Sequence, residues 1–270
     1  MKQPGRYGAE GQEDQPGSRR AVFGPAELLL ASASPRRREL LGWLGQPFRA
    51  TANDGEDRDH PPPPAVLAAL PACPVPLPTH PTMLAWRKAD VACAESPGSV
   101  IIGADTIVVL DGDVLGKPRD PAHARIMLRR LSGRTHTVYT GLAVLGLAAG
   151  DWRLGTDNPP NSQYPAPNTQ LDLVASEVAI TDLTDAEIDD YIATGEPMDK
   201  AGAYGIQGLG GRLVHSVAGS YTCVVGLPLV ALHRLLFTAG YTQLTDPTEA
   251  YLYWLESQGK EPLSCPPTFP

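Results

Sequence analysis

The sequence predicts an α/β fold built on a mixed sheet. Two observations carry this. Apolar runs of strand character alternate along the chain with helical segments. Helix start signals, a polar cap followed by proline or by a capping box, recur between those runs. With 42% hydrophobic and 19% charged residues in a chain of 270, a sizeable core is also within reach.

The elements follow in order. LLLA at Leu28–Ala31 reads as a buried strand. Ser34 is a good helix cap and Pro35 fits the first helical position; Leu40, Leu41 and Leu44 then form one apolar face. Residues 83–94 read as helix. Residues 100–104 form an apolar strand that 106–110 continue. Asp120 caps a helix that has Pro121 at its first position and ends near Gly133. Residues 137–145 and 171–180 are strands. Thr184 and Glu187 form a capping box that opens a helix to about Ala193. Residues 224–237 begin as a strand and turn helical after Pro228.

Four stretches lack periodicity. Residues 1–26 are polar and Gly-rich and read as a disordered extension. Residues 59–81 contain PPPP and PACPVPLPTHP; proline at this density excludes ordinary helix and central strand. Residues 149–169, with DNPPNSQYPAPN, read as a surface insertion, and PLSCPPTFP ends the chain. The expected organisation is therefore one domain over 27–240 with two Pro-rich insertions, then a C-terminal helix and tail over 241–270. No internal repeat is present.

Composition excludes several function classes. A net charge of −8 and a pI near 5.2 argue against nucleic acid as a partner, which calls for a broad basic surface. A small anion needs only a local cluster of cations. Cys73, Cys93, Cys223 and Cys265 are far apart, with no Cys-x-x-Cys pair, which argues against a zinc site or a disulfide framework. No apolar run has the length of a membrane span, and the first twenty residues have neither a signal-peptide core nor a transit-peptide composition. The expectation is a soluble cytoplasmic protein.

Four segments carry chemistry. In ASASPRRRELLGWLG, residues 31–45, Arg36, Arg37 and Arg38 fall in the first helical turn. Cations there oppose the helix dipole, whereas the free N–H groups of that turn favour an anion. A bound phosphate chain resolves the conflict; a solvated arginine run is the plain alternative. In SVIIGADTIVV, Asp105 interrupts an apolar strand. A carboxylate there is costly unless paired or bound to a metal. It is a metal ligand or general base at a strand end, or else a turn residue between two short strands. In DGDVLGKPRD, Gly116 and Lys117 resemble a fragment of a phosphate loop, but the Walker spacing fails, and taken alone Lys117 reads as a hairpin lysine. GEPMDKAGAYGIQGLGG, residues 195–211, is rich enough in glycine to let backbone approach a ligand closely. His136 and His215 read as ordinary surface or packing residues.

No one of these segments decides the function, but their order does. ASASPRRRELL, LAWRKA, GADTIVV, GKPRD, SGRTHTVYTG, ATGEPMDKAGAYGIQG and VVGLP together resemble the Maf-type nucleotide pyrophosphatase family over roughly residues 27–237. The Asp105–Thr106 pair and DKAGAYGIQG look like the branch acting on dTTP and UTP. The resemblance implies an elongated sheet with two lobes around a cleft, similar to inosine-triphosphate pyrophosphatases, and family members are often homodimers. It implies hydrolysis of a nucleoside triphosphate to the monophosphate and pyrophosphate with Mg²⁺ or Mn²⁺. Asp105 matches the catalytic carboxylate. Arg36, Thr106 and Gln207 match positions that choose the base. Ser32, Arg37, Lys88 and Lys117 match the phosphate side. Counting from Phe48 brings Glu56 and Asp57 to the family's acidic pair, with Asp57 in place of a glutamate, so both join Asp105 as expected metal ligands. Cys223 stands where asparagine is usual. The alternatives are the same chemistry on another modified nucleotide, or a non-catalytic nucleotide-binding regulator. The regulator is favoured if Asp105 or Lys117 is missing, and both are present.

Overall fold

The computed structural model describes residues 26–53, 55, 61–146, 168–257 and 259. The expected N-terminal extension, the centre of the second insertion, Glu56, Asp57 and the final tail lie outside the described residues. In chain order the elements are β1 (Leu28–Ala31), α1 (Pro35–Gly42), β2 (Arg49–Thr51), α2 (Pro64–Ala69), α3 (Pro81–Glu95), β3 (Val100–Leu110), β4 (Asp113–Leu115), α4 (Pro121–Leu131) and β5 (Thr135–Gly146). They continue with β6 (Asn168–Ile180), α5 (Asp185–Ala193), β7 (Val214–Ala218), α6 (Tyr221–Val225), α7 (Leu229–Thr238) and α8 (Pro247–Ser257). None of the described helices is long and apolar enough to cross a membrane.

The predicted α/β class holds. The seven strands form one mixed sheet in the order β2-β1-β3-β5-β6-β7, with β4 hairpinned onto β3. β1 runs parallel to both β2 and β3, whereas β3, β5, β6 and β7 pair antiparallel. The turn from β3 to β4 is Asp111-Gly112, both at positive φ, the conformation that suits a tight hairpin.

All three capped helix starts read from the sequence are present as hydrogen bonds. Ser34 caps α1 by accepting from the Arg37 amide, and Asp120 caps α4 by accepting from His123. Thr184 and Glu187 close their capping box in both directions. Residues 100–110 are one uninterrupted strand, so Asp105 is not a turn residue.

Two expectations fail. The first Pro-rich insertion contains helix α2, because Pro64 occupies its first turn, where a missing N–H costs nothing, and no proline follows inside the helix. Val66 of α2 packs against the sheet. Residues 224–237 do not begin as a strand. Ser220 caps α6 by accepting from the Cys223 amide, and Gly226 ends that helix at φ +118°. Here capping and tertiary packing override the β-propensity of Val224 and Val225. The short strands β2 and β4 and the half-exposed edge strand β7 had no apolar run to mark them.

Core packing divides the sheet lengthwise. Over one half, α1 and α7 cover one face through Leu40, Leu44, Leu232 and Leu236, and α3 covers the other through Met83, Trp86 and Ala89. At the other end α4 and α5 pack through Leu128, Leu131, Ile188 and Tyr191 onto Val108, Val138 and Val178. The cleft opens where these lobes meet, and the reason is topological. On the edge of β3 away from β5, β1 pairs with residues 100–102 and β4 with 108–110. Residues 103–107 have no strand partner on that edge among the described residues.

Candidate active site

That unpaired stretch holds Asp105 and Thr106, whose side chains leave opposite faces of the strand. On the Asp105 face lies α3. Its approach is set by Gly103: a Cβ there would sit 2.0 Å from the carbonyl oxygen of Ala85. Gly141, the cross-strand partner of Asp105, is equally tight, 2.2 Å from the amide of Thr82. With the helix so close, Lys88 reaches the carboxylate. Its Nζ donates to Asp105 Oδ1 at 2.7 Å, with both residues buried. Oδ2 of Asp105 has no hydrogen-bond partner among the described residues. Asn53 braces this corner by donating to the Lys88 carbonyl at 2.9 Å and accepting from the Gly55 amide at 3.1 Å.

On the Thr106 face lies the arginine helix. Arg37 donates to the carbonyl of Gly226 (2.8 Å), to Thr106 Oγ1 (3.1 Å) and to Ser32 Oγ (3.4 Å). Thr106 in turn shares a hydrogen bond with Thr140, its partner across the sheet, and Thr140 donates to the Cys223 carbonyl. The guanidinium is therefore pinned by α6 and β3. Arg36 faces Asp199 at 3.8 Å, whereas Arg38 is exposed and outside the cavity. Of the three arginines, only Arg36 and Arg37 line the site.

These surfaces enclose a cavity of about 580 Å³. Ser32, Arg36, Arg37, Lys88, Asp105, Thr106, Lys117 and Gln207 all line it. Lys117 lies two residues beyond β4, not in the hairpin turn, and is exposed. It has no hydrogen-bond or ion-pair partner among the described residues. Gln207 is half-buried and likewise without a partner among them. Of the expected metal ligands only Asp105 is described. Among the described residues no group of three His, Cys, Asp or Glu side chains could hold a metal.

Among the lining residues that sequence reasoning missed are the polar side chains of Asn53, Asp199, Lys200 and Tyr204. The last three lie inside the motif DKAGAYGIQG, but as side chains they carried no separate signal. Tyr204 is buried, and its hydroxyl and His136 Nε2 are 2.8 Å apart. Burial pushes the Tyr204 phenol up and the His136 imidazole down to about 4. His136 is thus a packing residue, as expected.

The cavity combines two carboxylates, Asp105 and Asp199, with five cations, hydroxyls and the amide head groups of Asn53 and Gln207. That set suits a phosphate chain at one end and a polar planar group at the other. The family model for the Maf-like protein matches residues 27–239. The chain belongs to the Maf-like protein family. This Maf-like protein is 44% identical over 210 residues to a dTTP/UTP pyrophosphatase of Yersinia pestis bv. Antiqua (strain Antiqua), covering 77% of this chain and 91% of the relative. It is 46% identical over 215 residues to the dTTP/UTP pyrophosphatase of Anaeromyxobacter dehalogenans (strain 2CP-C), covering 79% and 94%. With the protein of the same name from Moorella thermoacetica (strain ATCC 39073 / JCM 9320), the figures are 44% over 217 residues, 80% and 96%.

Proposed function

We propose that this Maf-like protein is a nucleoside triphosphate pyrophosphatase that cleaves dTTP and UTP to the monophosphate and pyrophosphate. One observation carries the reading: the sequence-assigned residues from five separate segments converge on one cavity, arranged around Asp105. The names of the relatives support the same substrates.

In this reading the triphosphate lies along Arg36, Arg37, Lys88 and Lys117, which offset charge on the departing pyrophosphate. Arg37 is suited to a forked contact because α6 and β3 hold its plane, and Lys117 acts as a mobile point charge. Asp105, held at Oδ1 by Lys88, takes a proton from water at Oδ2 as that water attacks the phosphoanhydride. The bond between the α- and β-phosphates breaks, and pyrophosphate leaves with the electron pair. Arg36, Thr106 and Gln207 read the base; an amide offers both a donor and an acceptor to a pyrimidine edge.

The residues present fit a hard divalent cation in a limited way. Asp105 supplies one oxygen ligand, and such ions are commonly held by one or two carboxylates plus substrate phosphates. Glu56 or Asp57 would supply the second. Gly55, just before them, lies against α3, where its Cβ would meet the Arg87 carbonyl at 2.6 Å. Bound there, Mg²⁺ or Mn²⁺ would neutralise phosphate oxygens and acidify water. The reading includes a homodimer in the cytoplasm.

The test is a pyrophosphate-release assay over the common nucleoside triphosphates, with and without Mg²⁺ or Mn²⁺. Pyrophosphate and monophosphate in equal amounts from dTTP and UTP are expected. Release of inorganic phosphate and a diphosphate, or binding with no turnover, would overturn the assignment; the second outcome favours the regulator.

A further inference from the structure

The glycine-rich segment 204–211 carries Gln207 but is not held by its own hydrogen bonds alone. Tyr191, buried at the end of α5, donates its hydroxyl to Glu196 Oε1 at 2.9 Å and accepts from the Gly205 amide at 3.1 Å. Glu196, which opens the 3₁₀ turn Glu196–Asp199, accepts from the Gly210 amide at Oε1 (3.1 Å) and from the Leu209 amide at Oε2 (2.8 Å). Three amides of the segment, on both sides of Gln207, therefore end on two side chains outside it.

The glycines are explained by this clasp. A Cβ at Gly208 would lie 2.4 Å from Glu196 Oε2, one at Gly210 2.4 Å from Tyr191 Oη, and one at Gly205 2.5 Å from Lys200 Cε. These glycines admit the clasp, whereas the sequence alone suggested that they admit a ligand. Burial raises the Glu196 carboxyl, but the Gly210 and Leu209 amides, the Tyr191 hydroxyl and Lys200 outweigh it and hold it below its ordinary value. Lys200 extends the clasp, donating to the Glu196 carbonyl at 2.7 Å and to Asp199 at 2.6 Å.

We propose that Glu196, clasped with Tyr191, is a specificity-determining positioning residue that sets the selectivity of the site for its base by fixing Gln207, without lining the cavity itself. This rests on the reading of the cavity as a nucleoside triphosphate site. The carboxylate accepts three donors. In Glu196→Gln one oxygen becomes an NH₂ that faces N–H or O–H donors, so at least one bond is lost. The phosphate side, built on α1, α3 and the residues after β4, meets this region through Arg36, which faces Asp199 at 3.8 Å, and not through Glu196 or Tyr191.

The experiment uses the full chain and α,β-methylene dTTP and ATP, which bind without turnover. In Glu196→Gln the dTTP analogue should bind about tenfold more weakly, the loss of one charge-assisted hydrogen bond, while the ATP analogue changes little. The Leu209 and Gly210 amides should exchange hydrogen faster. With dTTP itself, KM should rise and kcat should hold. Tyr191→Phe keeps the buried ring and removes only the hydroxyl, so it should move selectivity the same way by a smaller factor. Faster exchange with an unchanged dTTP:ATP affinity ratio overturns the proposal, as does unchanged exchange in Glu196→Gln. A wild-type chain that binds the analogues but never releases pyrophosphate overturns the hydrolase reading alone.

Discussion

Lys88 Nζ and Asp105 Oδ1 lie 2.7 Å apart, with side-chain exposures of 11% and 13%. Their meeting depends on Gly103, two residues before Asp105 on the same face of β3, which lets α3 descend far enough for Lys88 to reach. Asp105→Asn should fold, since an amide oxygen still accepts from Lys88 and the cavity offers water. It should lower kcat at least 10²-fold, the lower range for a general base, with little change in KM. Steady-state kinetics and a thermal melt on the same preparation check both halves; retention of a tenth of wild-type kcat removes Asp105 from this role.

The close approach at Gly103 can be tested directly. Gly103→Ala forces the Ala85 carbonyl to move, and overpacking of this kind costs about 1–3 kcal/mol or more. Tm should drop by about 5 °C or more, with activity falling because Lys88 is displaced from Asp105. Gly42→Ala is the control. A Cβ at Gly42 meets nothing within 4 Å, so that variant should match or exceed wild-type stability. Equal melting of the two variants contradicts the role given to Gly103.

Base preference should follow the cleft. dTTP and UTP should show higher kcat/KM than ATP or GTP, and Gln207→Ala should narrow the gap mainly through KM. A nucleotide panel on both proteins settles this, and similar values for all four bases in wild type would leave the reaction type standing without the preference.

The acidic pair after β2 makes a separate claim. In Glu56→Gln with Asp57→Asn, the Mg²⁺ concentration for half-maximal activity should rise at least tenfold with Tm unchanged, the loss of about one ligand. An unaltered metal titration would leave Asp105 as the sole protein carboxylate on the metal.

His136 sets a pH limit on stability. Burial lowers its imidazole from 6.5 to about 4 in the folded chain. The unfolded chain therefore takes up the proton first, and stability from this site is complete above pH 6.5. It falls as pH drops from 6.5 towards 4, by roughly 3 kcal/mol in all. Urea midpoints measured across that range should fall more steeply for wild type than for His136→Phe. Parallel slopes would show that His136 titrates normally.

The residues around Asp105 were assigned only through the resemblance of seven ordered blocks, whereas the alternation of strands and helices and the capped starts of α1, α4 and α5 were directly legible in the sequence. Each is a local pattern: a cap bonds three residues away, and apolar periodicity is set by the backbone repeat. Helix α2 and the helical start of residues 224–237 were misread, because proline position and capping outweighed composition and propensity. Only the tertiary structure decided that β1 and β4 stop short of each other along β3, so that Asp105 and Thr106 look into a cleft. It also decided that Arg37 is pinned by Gly226 and Thr106, that Arg38 is left outside, and that the glycines of 204–211 make room for Glu196, Lys200 and Tyr191. These relationships join residues as much as 189 positions apart, such as Arg37 and Gly226. Contacts of that range come from strand order and helix approach, which no local run of residues encodes.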